Sequence, residues 1–363
     1  MDIASYRPVD CDVHIMPPSD MRFLLPYFDA YWHDHMTSRG AEKLALTLTS
    51  YPPNAPMTCR ADWRAAGPLD VKALGRDALD PYNTRFAICH TLHSAQILYS
   101  EDMAAAVCRA MNDWISREYL DKDARLRAAI VVPAQSPELA AEEIERMAAD
   151  RRFVEVQLLT LNEMPLGRRF YWPIYAAAEK HGLPIGIHAG STYRHAPTPI
   201  GWPSHAVEDY IALSHSFQSQ LLNIITEGVF QKFPTLKIVL VEAGFTWLPS
   251  FLWRADKGWR GLRRETPWLK ESPARIIRDH VRFTLQPANA PPDPAMLERV
   301  IEQIDCDDVL LFSSDYPHWH YEANEVIPEG FPKQLLQKLL IDNPLATFTR
   351  LADARTQVPE MAQ

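Results

Sequence analysis

Eight short apolar runs recur along this chain, each ending at or near polar residues and separated from the next by a longer connecting segment. They lie at residues 9–15, 85–91, 126–133, 153–160, 183–190, 236–244, 281–287 and 308–315. Most are rich in Val, Ile, Leu and Phe, which predicts strands buried on both faces, as in a parallel sheet covered by helices. Most of the connecting segments carry the helical period. In Glu101–Leu120, for example, Met103, Val107, Met111 and Trp114 fall three or four apart on one face. Ser136 before Pro137 marks a helix start running to about Ala149, and Gly182 marks the stop of a helix over Tyr171–His181. Further helices are predicted over Ser214–Lys232, Thr246–Trp259, Pro294–Ile304 and within 331–352. Eight alternating units predict an α/β fold, a closed (β/α)8 TIM barrel.

No repeat, linker or low-complexity stretch divides the chain, so residues 1–363 are expected to form one domain. The rhythm breaks only at 16–83, after the first strand, where a helix near Asp20–His35 leads into a segment dense in Pro, Tyr and Trp. This reads as a cap-like insertion, whose aromatics either wall a pocket for a planar substrate or form a small satellite core.

Charge and cysteines narrow the partners. A net charge of −9 with no basic stripe argues against nucleic acid, and the Arg and Lys of 254–278 are interleaved with acids and tryptophans. Cys11, Cys59, Cys89, Cys108 and Cys306 form no paired motif, as expected in a reducing compartment. Residues 1–9 lack a signal-peptide core and no run has the roughly 20 apolar residues of a membrane span. The expectation is a cytoplasmic protein that acts on a small molecule and engages no membrane. Trp-rich residues 247–268 suit a homodimer contact.

The chemistry collects at strand ends. Leu310-Leu311-Phe312-Ser313-Ser314-Asp315 climbs as a strand and stops on a carboxylate, followed by Tyr316, Pro317, His318 and His320. Asp12 and His14 are two apart on the first strand and so share a face, suited to gripping one ion or to facing solvent as a polar pair. His188 ends the fifth strand among the small residues Gly186, Ala189 and Gly190, and Glu242 ends the sixth. In a barrel all five converge at the carboxyl-end mouth, where two imidazoles and two or three carboxylates would hold Zn²⁺ or Mn²⁺, Zn²⁺ being the first choice.

These segments carry a resemblance. The DxDxH start, the IGIHAG strand, the GVFQKFPTLKIVLVEAG block continuing into WLP and WRAD, and the SSDYPH strand are similar to the amidohydrolase superfamily. The nearest branch includes aminocarboxymuconate semialdehyde decarboxylase and γ-resorcylate decarboxylase, and the resemblance runs from Asp10 to about Leu351. It implies one divalent metal held by Asp12, His14, His188 and Asp315. Asp12 stands where the family's first-strand pair begins with histidine, and Glu242 where its HxG motif begins with histidine. Glu242 is therefore a replacement base, an extra ligand or an acceptor for His188. Asp315, Glu242 and His215 are the catalytic candidates, and Arg194, His195 and His318 the substrate-binding ones, weighed against ordinary loop roles. The first expectation is a hydrolase that attacks a C–N or C–C bond of a carboxylated, aromatic-derived substrate with a metal-activated water. The alternatives are a nonoxidative decarboxylase and a metal-free binding protein on the same barrel.

Overall fold

The computed structural model describes residues 3–18, 20–44, 69–91, 95–318 and 326–352. Eight strands form one parallel sheet in sequential order: β1 (Val9–Ile15), β2 (Phe86–Thr91), β3 (Leu126–Val131), β4 (Phe153–Leu161), β5 (Ile185–Ser191), β6 (Ile238–Val241), β7 (Val281–Thr284) and β8 (Leu310–Leu311). The sheet closes on itself through the segment after β8. Cys11 N donates to Phe312 O at 2.8 Å, Asp315 N to Asp12 O at 3.0 Å, and His14 N to Tyr316 O at 2.7 Å. The fold is the (β/α)8 barrel that the eight apolar runs predict.

Helices cover the outside. Glu101–Ile115 starts where the Ser100 hydroxyl accepts from Met103 N, and it buries Val107, Met111 and Trp114 as its spacing predicts. Pro137–Met147 begins with its proline, but Ser136 makes no capping bond through its side chain. Trp172–Lys180 ends before Gly182, whose φ of 63° is the left-handed conformation that closes a helix. The helix expected from Ser214 begins eight residues earlier, at Ala206. There the His205 side chain and Glu208 form a reciprocal cap that the usual Ser/Thr/Asp/Asn signal does not reveal.

Two apolar clusters follow from this layering. The larger lies between strands and helices. The smaller joins Val9 and Cys11 of β1, Phe86 and Ile88 of β2, Val154 of β4, Val239 and Val241 of β6 and Leu311 of β8 with Phe348 and Leu351 near the C-terminus. One contiguous cluster fed by five strands can only fill the barrel interior, and the C-terminal segment plugs it. Of the predicted insertion, residues 20–44 and 69–83 hold the helical pieces Met21–Tyr27, Ala30–Arg39, Val71–Leu74 and Gly75–Leu79. Its remaining aromatics, Cys59 and His320 lie outside the described residues. Among the described residues no helix is long and apolar enough to cross a membrane.

Candidate metal centre

The apolar interior gives way to polar side chains at the carboxyl ends of the strands. Asp12 and His14 project from β1 and His188 from β5. Glu242 follows the last residue of β6, and Asp315 and His318 lie beyond β8. His14 Nε2 is the hub. It lies 2.9 Å from Glu242 Oε1, 3.1 Å from Asp315 Oδ1 and 3.7 Å from Asp12 Oδ1. His188 Nε2 is 3.7 Å from Asp12 Oδ1 and 3.9 Å from Glu242 Oε1. His318 Nδ1 reaches Asp315 Oδ1 at 2.8 Å and Glu242 Oε1 at 3.0 Å, its ring stacked on that of His14 with centroids 4.3 Å apart. Asp12, His14, His188 and Glu242 offer donor atoms within 4.8 Å of one another, as do His14, Glu242, Asp315 and His318.

Backbone conformation aims two of these acids. Glu242 and Asp315 have φ of 58° and 57°, a left-handed region that non-glycine residues seldom enter. The Glu242 amide donates to Thr284 Oγ1 at 3.0 Å and that of Asp315 to Asp12 O at 3.0 Å, so each reversal is fixed by the neighbouring strand.

The site's electrostatics suit a cation. Three carboxylates crowd one imidazole nitrogen in a buried cup, an arrangement that mutual repulsion disfavours without positive charge among them. Burial pushes the Asp12 carboxyl up, but the charge of His14 and the approach of His188 and His90 hold it well below the usual range. Burial and the charge of His318 push the His14 imidazole down, and Asp12, Asp315 and Glu242 raise it overall. His318 is lifted well above its ordinary value, burial notwithstanding, by Asp315 and Glu242. One further atom is diagnostic. His188 donates from Nδ1 to Ala189 O at 2.8 Å, which leaves the Nε2 lone pair facing the cup, and among the described residues Nε2 has no hydrogen-bond partner. A tautomer locked by the far nitrogen is how proteins present histidine to a metal. Asp12 Oδ2 is likewise buried without a partner. The residues fit a divalent ion.

Other predicted residues lie elsewhere. Arg194 follows β5, but its guanidinium is tied by Glu163 at 3.2 Å, by Ile97 O at 3.3 Å and by the Tyr99 ring at 3.6 Å. His195 Nε2 bonds Asn162 O at 2.6 Å. Both join loops at the rim. His215 is exposed on the helix Ala206–Thr226, and among the described residues it is not one of the clustered donors. His318 belongs to the donor cluster itself.

Two residues that the strand pattern does not single out complete the site. His90 on β2 contacts Asp12 Oδ1 through Nδ1 at 2.9 Å and Glu155 Oε2 on β4 through Nε2 at 2.7 Å, and all three are fully buried. Burial lowers the His90 imidazole, but Glu155 and Asp12 outweigh it and lift the group to about 10. Burial raises Glu155. The available signal was a histidine near the end of an apolar strand, the same signal that His188 gives.

Comparison with known proteins places the chain in a family. γ-Resorcylate decarboxylase of Polaromonas sp. (strain JS666 / ATCC BAA-500) is 26% identical over 242 residues, which cover 62% of this chain and 70% of that enzyme. Across the γ-resorcylate decarboxylases matched, the aligned stretch spans 60 to 70% of their length. The fold is shared with 5-carboxyvanillate decarboxylase of Novosphingobium aromaticivorans DSM 12444, solved with manganese and 4-hydroxy-3-methoxy-5-nitrobenzoic acid. The TM-score is 0.70 at 20% identity, over 95% of this chain and 97% of that one. It is also shared with dihydroxybenzoic acid decarboxylase of Polaromonas sp. JS666, solved with manganese and 2-nitroresorcinol, at a TM-score of 0.64 and 18% identity over 96% and 98%. Residues 9–350 match the family described as amidohydrolase, and the chain is a member of the amidohydrolase family.

Proposed function

We propose that this enzyme is a divalent-metal-dependent nonoxidative decarboxylase acting on an aromatic acid with a hydroxyl beside the carboxylate. The observation that carries the reading is the donor cluster in which Asp12, His14 and His188 gather with Glu242, and His14 and Glu242 gather with Asp315 and His318, with His188 Nε2 locked toward the cup. The related decarboxylases favour this alternative over the hydrolase expected first. Mn²⁺ is preferred to Zn²⁺ because a donor set this rich in carboxylate oxygen suits the harder ion, and because manganese occupies structures that share the fold.

When bound, the ion would hold the substrate carboxylate and neighbouring oxygen and supply positive charge as the C–C bond breaks. The chain's own residues do the rest. The locked His188 tautomer and the strand-fixed reversals at Glu242 and Asp315 hold the donors still. Asp315 and His318, 2.8 Å apart, share a proton next to the reacting carbon, and Glu242 steadies the far side of His318. As the carboxyl–ring bond cleaves, its electron pair stays on the ring carbon and CO₂ leaves. Asp315 then delivers the proton that forms the new C–H bond, and His318 passes a replacement.

The test is CO₂ release from a panel of ortho-hydroxylated benzoates, including 2,6-dihydroxybenzoate and 5-carboxyvanillate, by the Mn²⁺-loaded protein. Release that falls about 10²–10⁴-fold in Asp315→Asn supports the reading. Hydrolysis of amide or diketone substrates with no CO₂ from any member would return the enzyme to the hydrolase class.

A further inference from the structure

Behind the ion-binding cup a chain of buried polar groups crosses the barrel interior from β1 to β4. His90 stands between Asp12 Oδ1, 2.9 Å from Nδ1, and Glu155 Oε2, 2.7 Å from Nε2. None of these three side chains is exposed. An imidazole with an acceptor at each nitrogen is fixed in the plane of its ring and cannot rotate without stranding a buried carboxylate. Glu155 in turn lies close against the backbone of β5, where a Cβ at Gly186 would lie 2.5 Å from the Glu155 carboxyl carbon. The bare backbone at that point is therefore required by the glutamate rather than by a turn, since Gly186 sits within a strand.

We propose that His90 and Glu155 are positioning residues for the ion. Glu155 orients the His90 ring, and His90 orients the Asp12 carboxylate, so that β2 and β4 contribute to a centre whose donors come from other strands. The inference rests on the metal-dependent reading of the Asp12, His14, His188 and Asp315 cup. Its chemistry is that of a carboxylate–imidazole pair set behind a ligand, whose loss typically weakens metal binding about 10- to 100-fold. The two ring nitrogens have separable duties. Asparagine at position 90 places an amide donor near the Nδ1 position and keeps the Asp12 bond. Glutamine reaches the Nε2 position and keeps only the Glu155 bond.

The experiment measures the Mn²⁺ dissociation constant of the full chain, from the electron paramagnetic resonance signal of free Mn²⁺, for the parent, His90→Gln, His90→Asn and Glu155→Gln. Melting temperatures in EDTA report the fold separately. The expected result is a 10- to 100-fold weaker constant in His90→Gln and a several-fold weaker one in the near-isosteric Glu155→Gln, with His90→Asn recovering part of the loss. A purely structural role would lower the melting temperatures and leave the dissociation constants within about twofold of the parent, which overturns the proposal. Equal loss in His90→Asn and His90→Gln also overturns it, because the Asp12 contact would then not be what matters. A parent that binds no Mn²⁺ or Zn²⁺ would instead remove the metal-dependent reading itself, a distinct failure.

Discussion

Replacing Gly186 with alanine would set a methyl carbon 2.5 Å from the Glu155 carboxyl carbon and nearer still to Oε1, inside any permissible contact. Glu155 is fully buried with His90 against its other oxygen, so it can retreat only by giving up the 2.7 Å bond to His90 Nε2. Overpacking of a dense interior costs about 1–3 kcal/mol. Losing a hydrogen bond between charged groups adds about 1.5–3 kcal/mol, so the total is about 2.5–6 kcal/mol. In a chain this long each kcal/mol moves the midpoint by roughly 2 °C, which predicts a fall of roughly 5–12 °C in differential scanning calorimetry. The diagnostic comparison is the double variant Gly186→Ala with Glu155→Ala, which removes the obstructing carboxylate. It should be less destabilised than the sum of the two single changes, with a coupling of about 0.5–3 kcal/mol as for residues in direct contact. A Gly186→Ala midpoint within about 1 °C of the parent, or strict additivity in the double variant, would refute the reasoning.

Elemental analysis of the purified protein should find about one equivalent of Mn or Zn and far less in Asp315→Asn, which keeps the shape of the ligand and removes its charge. Mn²⁺ at 100 times its dissociation constant should stabilise the folded state by about 2.7 kcal/mol, a gain that EDTA abolishes in a thermal melt. Thr284→Val leaves the buried Glu242 amide without the hydroxyl it donates to, so the melt should fall by the equivalent of about 1–3 kcal/mol and Mn²⁺ should bind less tightly. Arg350 is buried at the plugged end and donates to Phe153 O at 2.8 Å and His181 O at 3.2 Å. Arg350→Met should therefore lower stability by about 1–3 kcal/mol per stranded carbonyl while leaving the Mn²⁺ dissociation constant unchanged.

The barrel was legible because runs such as LRAAIVVP and FVEVQLLT combine strand length with burial on both faces, a combination few other folds require. Polar residues that end such runs stand out, and Asp12, His14, His188, Glu242 and Asp315 met as their strand positions imply. Glu155 did not stand out, because alternation within FVEVQLLT normally sends the polar face to solvent. In a barrel that face points inward, and near the mouth it is polar. Only the pairing with His90, 65 positions away, gives the glutamate its meaning. The rim was less legible for a different reason. Arg194 and His195 follow a strand as ligand-binding residues do, yet their partners, Glu163 and Asn162, lie on another loop whose course no local pattern specifies. β8 was expected through Asp315 but leaves its ladder after Leu311, since Phe312 donates instead to Leu339 O and accepts from Cys11 of β1.

That early departure of β8 is what makes the site possible. A strand that continued regularly would carry Ser314 and Asp315 to opposite faces, each at the height its register dictates. Instead the backbone folds back at Asp315 with φ of 57°, and β6 does the same one residue beyond its end at Glu242, with φ of 58°. Such conformations cost about 1–3 kcal/mol each outside glycine and persist only where neighbours over-determine them. The determinants are visible. The Asp315 amide is held by Asp12 O, Ser314 N by Asp10 Oδ1 at 3.0 Å, and the Glu242 amide by Thr284. Asp10 also accepts from Asp12 N at 3.2 Å, so one buried carboxylate pins two of the strands that carry the ligands, β1 and β8. The bonds that close the barrel between β8 and β1 are thus the same bonds that bring Asp315 beside His14. Fold closure and assembly of the centre are one structural event, and a change that opens this seam would disperse the donors before it unfolds the chain.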